Sequence, residues 1–140
     1  MKRFLILLSI ATLLAISSSI PVAGQEAAKH VSADKADYKE AVPGVSKAVL
    51  WGDPDKGAYG AFTKMAPGLD FGMHTHTNAL WLVVHKGAYL YKDSAGEKRV
   101  GPGEFLWIPA GMKHWSGSDP KDGALFYEEA SGSFDLVPAK

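Results

Sequence analysis

The stretch from Gly68 to Gly87, GLDFGMHTHTNALWLVVHKG, decides how the rest of this chain is interpreted. His74 and His76 lie one residue apart near its centre, with apolar residues on both sides. In a β-strand, residues i and i+2 share a face, so both imidazoles would point the same way, with Cα atoms roughly 6.5–7 Å apart. Two rings at that separation can bind one metal ion at about 2.0–2.1 Å per nitrogen.

A helix fits this stretch poorly, because it would need i, i+4 spacing and would tolerate Gly68, Gly72 and the two threonines badly. A second stretch strengthens the prediction of a metal site. It runs from Gly103 to His114, GEFLWIPAGMKH, and supplies a third histidine at the end of another short apolar run.

The first 24 residues have the pattern of a secretory signal peptide. Lys2 and Arg3 precede an apolar run, Phe4–Ile16, that is too short for a membrane span, and a small-residue cleavage site follows at Val22–Gly24. We expect cleavage after Gly24 and a periplasmic or secreted protein with no stable membrane insertion. An uncleaved membrane anchor is the alternative. No Cys follows the apolar run, which excludes a lipoprotein.

Charge and cysteine content exclude several classes of partner and chemistry. Removal of Lys2 and Arg3 takes the formal net charge from zero to −2, and no run of basic residues remains. Nucleic acids and anionic membranes are therefore poor partners. The chain has no Cys, so it has neither disulfides nor thiolate ligands, and its core and any bound metal must hold the fold.

The mature chain of about 116 residues is sufficient for one domain. Residues 25–43 are polar and rich in Ala and Lys, which predicts a flexible lead-in with one short helix at Ala33–Glu40. Residues 44–140 alternate short β-type runs with turn signals, typical of an all-β sandwich or closed jelly-roll barrel around one small site. Exposed barrel edges also suggest a possible homodimer. The predicted strands are Ser46–Trp51, Tyr59–Met65, Phe71–His76, Leu80–His85, Ala88–Lys92, Glu97–Val100, Glu104–Ile108, His114–Gly117 and Ala124–Ala130.

The two histidine-bearing stretches resemble the paired motifs of the cupin superfamily. The first motif, G-x5-H-x-H-x3,4-E-x6-G, is matched by Gly68, His74, His76 and Gly87. The second, G-x5-P-x-G-x2-H-x3-N, is matched by Gly103, Pro109, Gly111 and His114. More loosely, Trp51–Pro54, the HTHT run and Gly132–Asp135 resemble a group of small exported bacterial cupins. The resemblance implies a cupin-type double-stranded β-helix with metal ligands His74, His76 and His114.

The sequence departs from the motifs at the glutamate position, which falls on Leu80, and at the final Asn, which falls on Ser118. The resemblance therefore implies no fourth ligand at position 80. We considered three substitutes. Asn78 is better explained as a turn residue, Glu104 is expected to face solvent, and Glu128 in the last strand is the candidate for reaching the cavity as a partner of the ligands.

Three neutral imidazoles disfavour Mg²⁺ and Ca²⁺, which prefer oxygen ligands. Zn²⁺ would complete a tetrahedron with one water, whereas Fe²⁺ would keep about three open positions. Some cupins with three-histidine iron sites are dioxygenases, so the resemblance implies oxygenase chemistry. A site filled outside the cytoplasm, however, follows an affinity order that favours Cu²⁺ and Zn²⁺. The metal therefore stays open between Fe, Zn and Cu.

The leading functional hypothesis is a metal-dependent, dioxygenase-like enzyme that acts on a small molecule. Glu128, Tyr59 and Tyr127 are the candidates for proton transfer. The alternatives are a non-catalytic module that binds a small molecule or metal, and a metal-free structural cupin. A carboxylate or tyrosine near the ion's open face would favour catalysis. His30 and His85 are expected to be exposed. Several large apolar residues are candidates for the pocket wall: Leu80, Trp81, Leu82, Phe105, Trp107, Trp115 and Phe126.

Overall fold

The computed structural model describes residues 26–140, and within this range regular structure consists of eleven β-strands. The predicted signal peptide therefore lies outside the described residues. Val31–Lys140 form one compact unit. Residues 26–140 include no helix of the length and apolarity needed to cross a membrane.

The strands alternate with short turns along the chain. Their bounds are β1 Lys39–Val42, β2 Val45–Gly52, β3 Tyr59–Met65, β4 Asp70–Thr75, β5 Leu80–Gly87, β6 Tyr89–Asp93, β7 Gly96–Val100, β8 Phe105–Ile108, β9 His114–Ser118, β10 Ala124–Ala130 and β11 Val137–Pro138. All pairings are antiparallel. One sheet has the order β1-β2-β3-β10-β5-β8 and the other the order β11-β4-β9-β6-β7. The predicted all-β jelly-roll architecture is confirmed.

The nine predicted strands correspond to β2–β10, with ends that differ by at most two residues. The helix predicted at Ala33–Glu40 is wrong, because this part of the predicted lead-in contains a turn followed by β1. Lys39 and Glu40 pair with Lys47 and Ser46 of β2. Pairing with a preformed strand edge outweighs the weak helix propensity of a short polar segment.

The core lies between the two sheets and follows the alternation of the strands. Leu80, Leu82 and Val84 of β5 are buried, whereas the intervening residues are not. Each fully buried Leu or Val side chain contributes about 1.5–3 kcal/mol of hydrophobic stabilisation. On β8 the same alternation buries Leu106 and leaves Phe105 and Trp107 exposed on the outer face. Those two aromatic residues are therefore excluded from the pocket wall.

Two glycines allow a close backbone contact where the end of β5 meets the start of β10. Gly87 and Gly123 have φ angles of +67° and +64°, which residues with a Cβ adopt only at a cost of about 1–2 kcal/mol. A Cβ on Gly87 would lie 2.1 Å from the carbonyl oxygen of Gly123. The glycine that closes the first histidine motif is thus needed for the close contact between the end of β5 and the residue before β10.

The Asp119 carboxylate stabilises the turn between β9 and β10. It accepts hydrogen bonds of 2.9 Å from the backbone N–H groups of Asp122 and Lys121, and one of 2.7 Å from Arg99. These donors favour the ionised form and lower the pKa of Asp119 to about 2. A lowered folded-state pKa means that the stabilisation is present above the unfolded-state pKa and disappears as pH falls through the folded value.

We therefore expect Asp119→Asn to lower the free energy of unfolding at pH 7, and the difference from wild type to shrink as pH falls from about 4 to about 2. Chemical denaturation of both proteins across this pH range measures the difference. A deficit that is the same at pH 7 and pH 2 would contradict the role assigned to the carboxylate charge.

Candidate metal centre

The structure brings the three predicted histidines together at one end of the barrel. β4 and β9 are neighbours, and their register places His74 directly opposite His114. His76 follows β4 by one residue and shares the inward parity of His74. All three side chains are buried, and one ring nitrogen from each lies within 4.8 Å of the other two.

Each ring is oriented by a hydrogen bond from Nδ1 to a backbone carbonyl. The acceptors are Gly72 for His74 and Met112 for His114, both at 2.9 Å, and Asp135 for His76. Because a carbonyl oxygen only accepts, each Nδ1 must carry the proton, which leaves the lone pair of each Nε2 free. This outer hydrogen-bonding pattern is the one that orients histidines as metal ligands.

The donor set fits a transition-metal ion. Nε2 of His114 is buried and has no hydrogen-bond partner in the described part of the chain, which is costly for a polar atom unless a bound ligand satisfies it. Burial lowers the pKa of His114 to about 4 and also lowers the pKa values of His74 and His76. The imidazoles are therefore neutral near pH 7, the form that coordinates metals such as zinc, copper and iron.

A glycine turn connects the two motifs. Gly111 has a φ of +73° and its N–H donates to the carbonyl of His76 at 2.8 Å, while the N–H of Met112 donates to the carbonyl of Pro109. The conformation places the turn before β9 against the residue that follows β4. The Pro-x-Gly segment of the second motif thus fixes His114 relative to His76.

No carboxylate joins the three histidines within residues 26–140. Leu80, at the position of the family glutamate, is buried and lines the cavity beside the site. Asn78 lies in the turn after His76, where its side chain donates to the carbonyl of Ser133. Glu104 is exposed and accepts a hydrogen bond from the N–H of Gly101. His30 and His85 are exposed, as predicted.

A cavity of about 460 Å³ lies beside His74 and His76. Its wall is mainly apolar, as expected for a small-molecule site. Of the predicted wall residues, Leu80 and Phe126 line it; the other large apolar contributors are Met65, Phe71, Phe134 and Leu136. A second groove of about 580 Å³, on β6 and β7, contains none of the three histidines.

Glu128 reaches this cavity as the sequence suggested, and it does so in a network that includes an unexpected lysine. Its buried carboxylate accepts hydrogen bonds from Lys47 and, at 2.8 Å, from the hydroxyl of Tyr59. Lys47 also donates to the Tyr59 oxygen at 3.2 Å and lies 4.2 Å from the ring centroid of Phe134. The side chains of Lys47 and Glu128 are only 12% and 3% exposed, so this is a buried ion pair.

Tyr59 and Tyr127 have different positions and different roles. Burial, followed by the nearby Glu128 charge, raises the pKa of Tyr59 well above its usual range, so its hydroxyl stays protonated and acts as a donor to Glu128. Tyr127 lies on the outer face of β10, where it donates to Glu129 and accepts from Trp51. Tyr127 therefore faces away from the cavity beside the histidines and is not a candidate for proton transfer there.

Comparison with known proteins assigns the chain to a family. A model of the "ChrR Cupin-like domain" matches residues 26–131. The chain belongs to this family of cupins. The match covers both histidine stretches and every strand from β1 to β10.

One curated relative and two solved structures illustrate the range of similar proteins. An (R)-mandelonitrile lyase of Granulicella tundricola is 31% identical over 62 residues, 44% of this chain and 47% of that enzyme, so the chain spans about half the length of this curated relative. The polyketide cyclase RemF of Streptomyces resistomycificus has a TM-score of 0.65 at 19% identity, covering 81% of this cupin and 87% of RemF. KdgF of a Halomonas species has a TM-score of 0.57 at 19% identity, covering 70% and 90% respectively. At these identities the structural likeness establishes the fold alone.

Proposed function

We propose that this cupin is a metal-dependent lyase that breaks a bond in a small, largely apolar, oxygen-bearing molecule. The observation that carries the proposal is the position of Glu128, a buried carboxylate in the wall of the same cavity as His74 and His76. A carboxylate beside a metal site is the feature that separates acid–base catalysis from passive binding. The partial similarity to a mandelonitrile lyase supports the same reaction class.

The three histidines would hold Zn²⁺, Fe²⁺ or Cu²⁺, and a bound ion would supply Lewis acidity toward a substrate oxygen. Glu128 would accept the proton of the substrate hydroxyl, and the electron pair of that O–H bond would form the C=O bond of a carbonyl product. The bond from the same carbon to the leaving group would break, and its electron pair would depart with the leaving group, which is cyanide when the substrate is a hydroxynitrile. Tyr59 and Lys47 hold Glu128 in place, and Lys47 compensates its charge. The apolar wall, including Leu80 and Phe126, excludes water and packs against the carbon skeleton of the substrate.

Oxygenase activity is the second candidate function. Its support is the ligand set itself, because three neutral nitrogens without a carboxylate leave several positions on an iron ion open. The two candidates differ in whether they consume oxygen.

The proposal is tested with the mature protein purified from its native compartment. Its metal content is measured first, and the loaded protein is then assayed with a panel of small hydroxynitriles, starting with mandelonitrile, with and without oxygen. We expect turnover that is independent of oxygen and falls by about 10²–10⁴-fold in Glu128→Gln, the range attributed to general acid–base groups. About one iron per chain with substrate-dependent oxygen uptake would replace the lyase with the oxygenase. A metal-loaded protein with unchanged turnover in Glu128→Gln would refute the role of this residue.

A further inference from the structure

His76 differs from the other two histidines in the source of its Nδ1 partner. His74 and His114 each bond a carbonyl two residues earlier in their own segment, at Gly72 and Met112. The carbonyl that accepts from His76 belongs to Asp135, 59 residues later in the chain. The orientation of one of the three rings therefore depends on a segment outside both histidine motifs.

This segment, residues 131–139, is called the strap here. It leaves β10 and runs along the edge of the sheet that carries the histidines. β11, within the strap, pairs with β4 so that Val137 lies opposite Thr75 and Pro138 opposite His74. The N–H of Ala139 donates to the carbonyl of Met73 at 2.9 Å. The strap thus contains the edge strand of this sheet, next to the strand that leads to His74 and His76.

The side chain of Asp135 fastens the strap to the residue after His76. One carboxylate oxygen accepts from the backbone N–H of Thr77 at 2.8 Å, and the other accepts from the Thr77 hydroxyl. Next to it, the Asn78 amide donates to the carbonyl of Ser133 at 2.9 Å. These bonds clamp the strap to the turn that His76 begins, and they hold the Asp135 carbonyl on the imidazole.

The same strap forms part of the cavity wall. Phe134 and Leu136, on either side of Asp135, line the cavity beside the histidines. The ring centroid of Phe134 lies 5.3 Å from that of His76 and 4.2 Å from the amine of Lys47. Displacement of the strap would therefore remove the partner of His76 and open the cavity at the same time.

We propose that Asp135 is a positioning residue for His76, and that the metal site is complete only while the strap is docked through the Asp135–Thr77 clamp. The part that concerns metal rests on the proposed function, whereas the positioning of the ring does not. Coupling between two binding events is reciprocal, so an ion bound at His76 also stabilises the docked strap.

The positioning step is tested in the metal-free protein by ¹⁵N NMR of the His76 ring, which reports the nitrogen that carries the proton. Wild type is expected to show a protonated Nδ1, because the Asp135 carbonyl fixes this tautomer. Asp135→Ala is expected to show a mixture of both tautomers. Asp135→Asn is expected to restore the wild-type state, since its amide can accept from the Thr77 N–H and donate to the Thr77 oxygen. Asp119→Ala, which removes a comparable carboxylate clamp elsewhere, is the matched control for Asp135→Ala and should resemble wild type in the His76 tautomer.

The metal step is tested by competition titration of the same variants with Zn²⁺ alone. Loss of a partner that orients a ligand typically costs 10–100-fold in metal affinity, so we expect roughly this loss in Asp135→Ala and recovery in Asp135→Asn. An unchanged tautomer in Asp135→Ala would overturn the inference, as would a Zn²⁺ affinity equal to that of wild type. If wild type bound no Zn²⁺, the proposed function would lose its support, while the tautomer of His76 would still decide whether Asp135 positions the ring.

Discussion

Replacement of His114 by alanine is expected to lower the Zn²⁺ affinity of the protein by about 10²–10³-fold. Structural zinc sites with four ligands bind with roughly 10–16 kcal/mol, which is about 2.5–4 kcal/mol for each ligand, and 1.4 kcal/mol corresponds to a factor of ten. His114 is fully buried, and its Nε2 has no hydrogen-bond partner among residues 26–140. The substitution therefore removes a ligand atom without breaking a hydrogen bond of that atom.

The measurement is the shift in unfolding midpoint on addition of Zn²⁺. A ligand at 100 times its dissociation constant stabilises the folded state by about 2.7 kcal/mol, so wild type should show a clear shift and His114→Ala a much smaller one. His85→Ala is the matched control, because His85 is exposed and contacts Phe62 away from the site. Equal shifts in all three proteins would mean that Zn²⁺ does not bind at the histidine cluster.

Much of the site could be predicted because its chemistry is carried by side chains at fixed local spacings. His74 and His76 share a strand face, and Gly111 provides the turn that precedes His114. Alternation along the strands likewise located β2–β10. These features depend on residue type and short-range geometry, both of which can be read from the chain.

The contacts that were missed are long-range or use groups that every residue has. The carbonyl of Asp135 orients His76. Every residue has a backbone carbonyl, so residue type alone could not predict which one would accept this hydrogen bond. Lys47 is a charged residue in a strand, where exposure is the usual expectation. The only signal was parity: Lys47 lies two residues from the buried Val45, so both face the same side of β2. β1 and β11 form by pairing with β2 and β4. Their own sequences are short and polar or contain Pro, so they carry no pattern that predicts a strand.

Lys47→Met is expected to lower the free energy of unfolding by about 3–5 kcal/mol, the typical cost of leaving one member of a buried ion pair without its partner. Glu128 would stay buried, with Tyr59 as its remaining hydrogen-bond donor. Adding Glu128→Gln should recover most of the loss, because the double variant has no charge at positions 47 and 128 and its amide oxygen can still accept from Tyr59. Urea denaturation of the metal-free proteins measures both effects.

Lys92→Met is the control for this pair. It breaks the Lys92–Glu97 ion pair, in which both side chains are more than half exposed, and should change stability by less than about 1 kcal/mol. A loss in Lys47→Met no larger than in this control would show that the Lys47–Glu128 contact contributes little to stability.

The double variant Lys47→Met/Glu128→Gln also separates an effect on stability from an effect on the chemical step. If it folds as well as wild type and binds Zn²⁺ with unchanged affinity, yet has lost turnover, then stability and metal binding are intact. The defect would then lie in the chemical step, and it would be assigned to the missing carboxylate–ammonium pair.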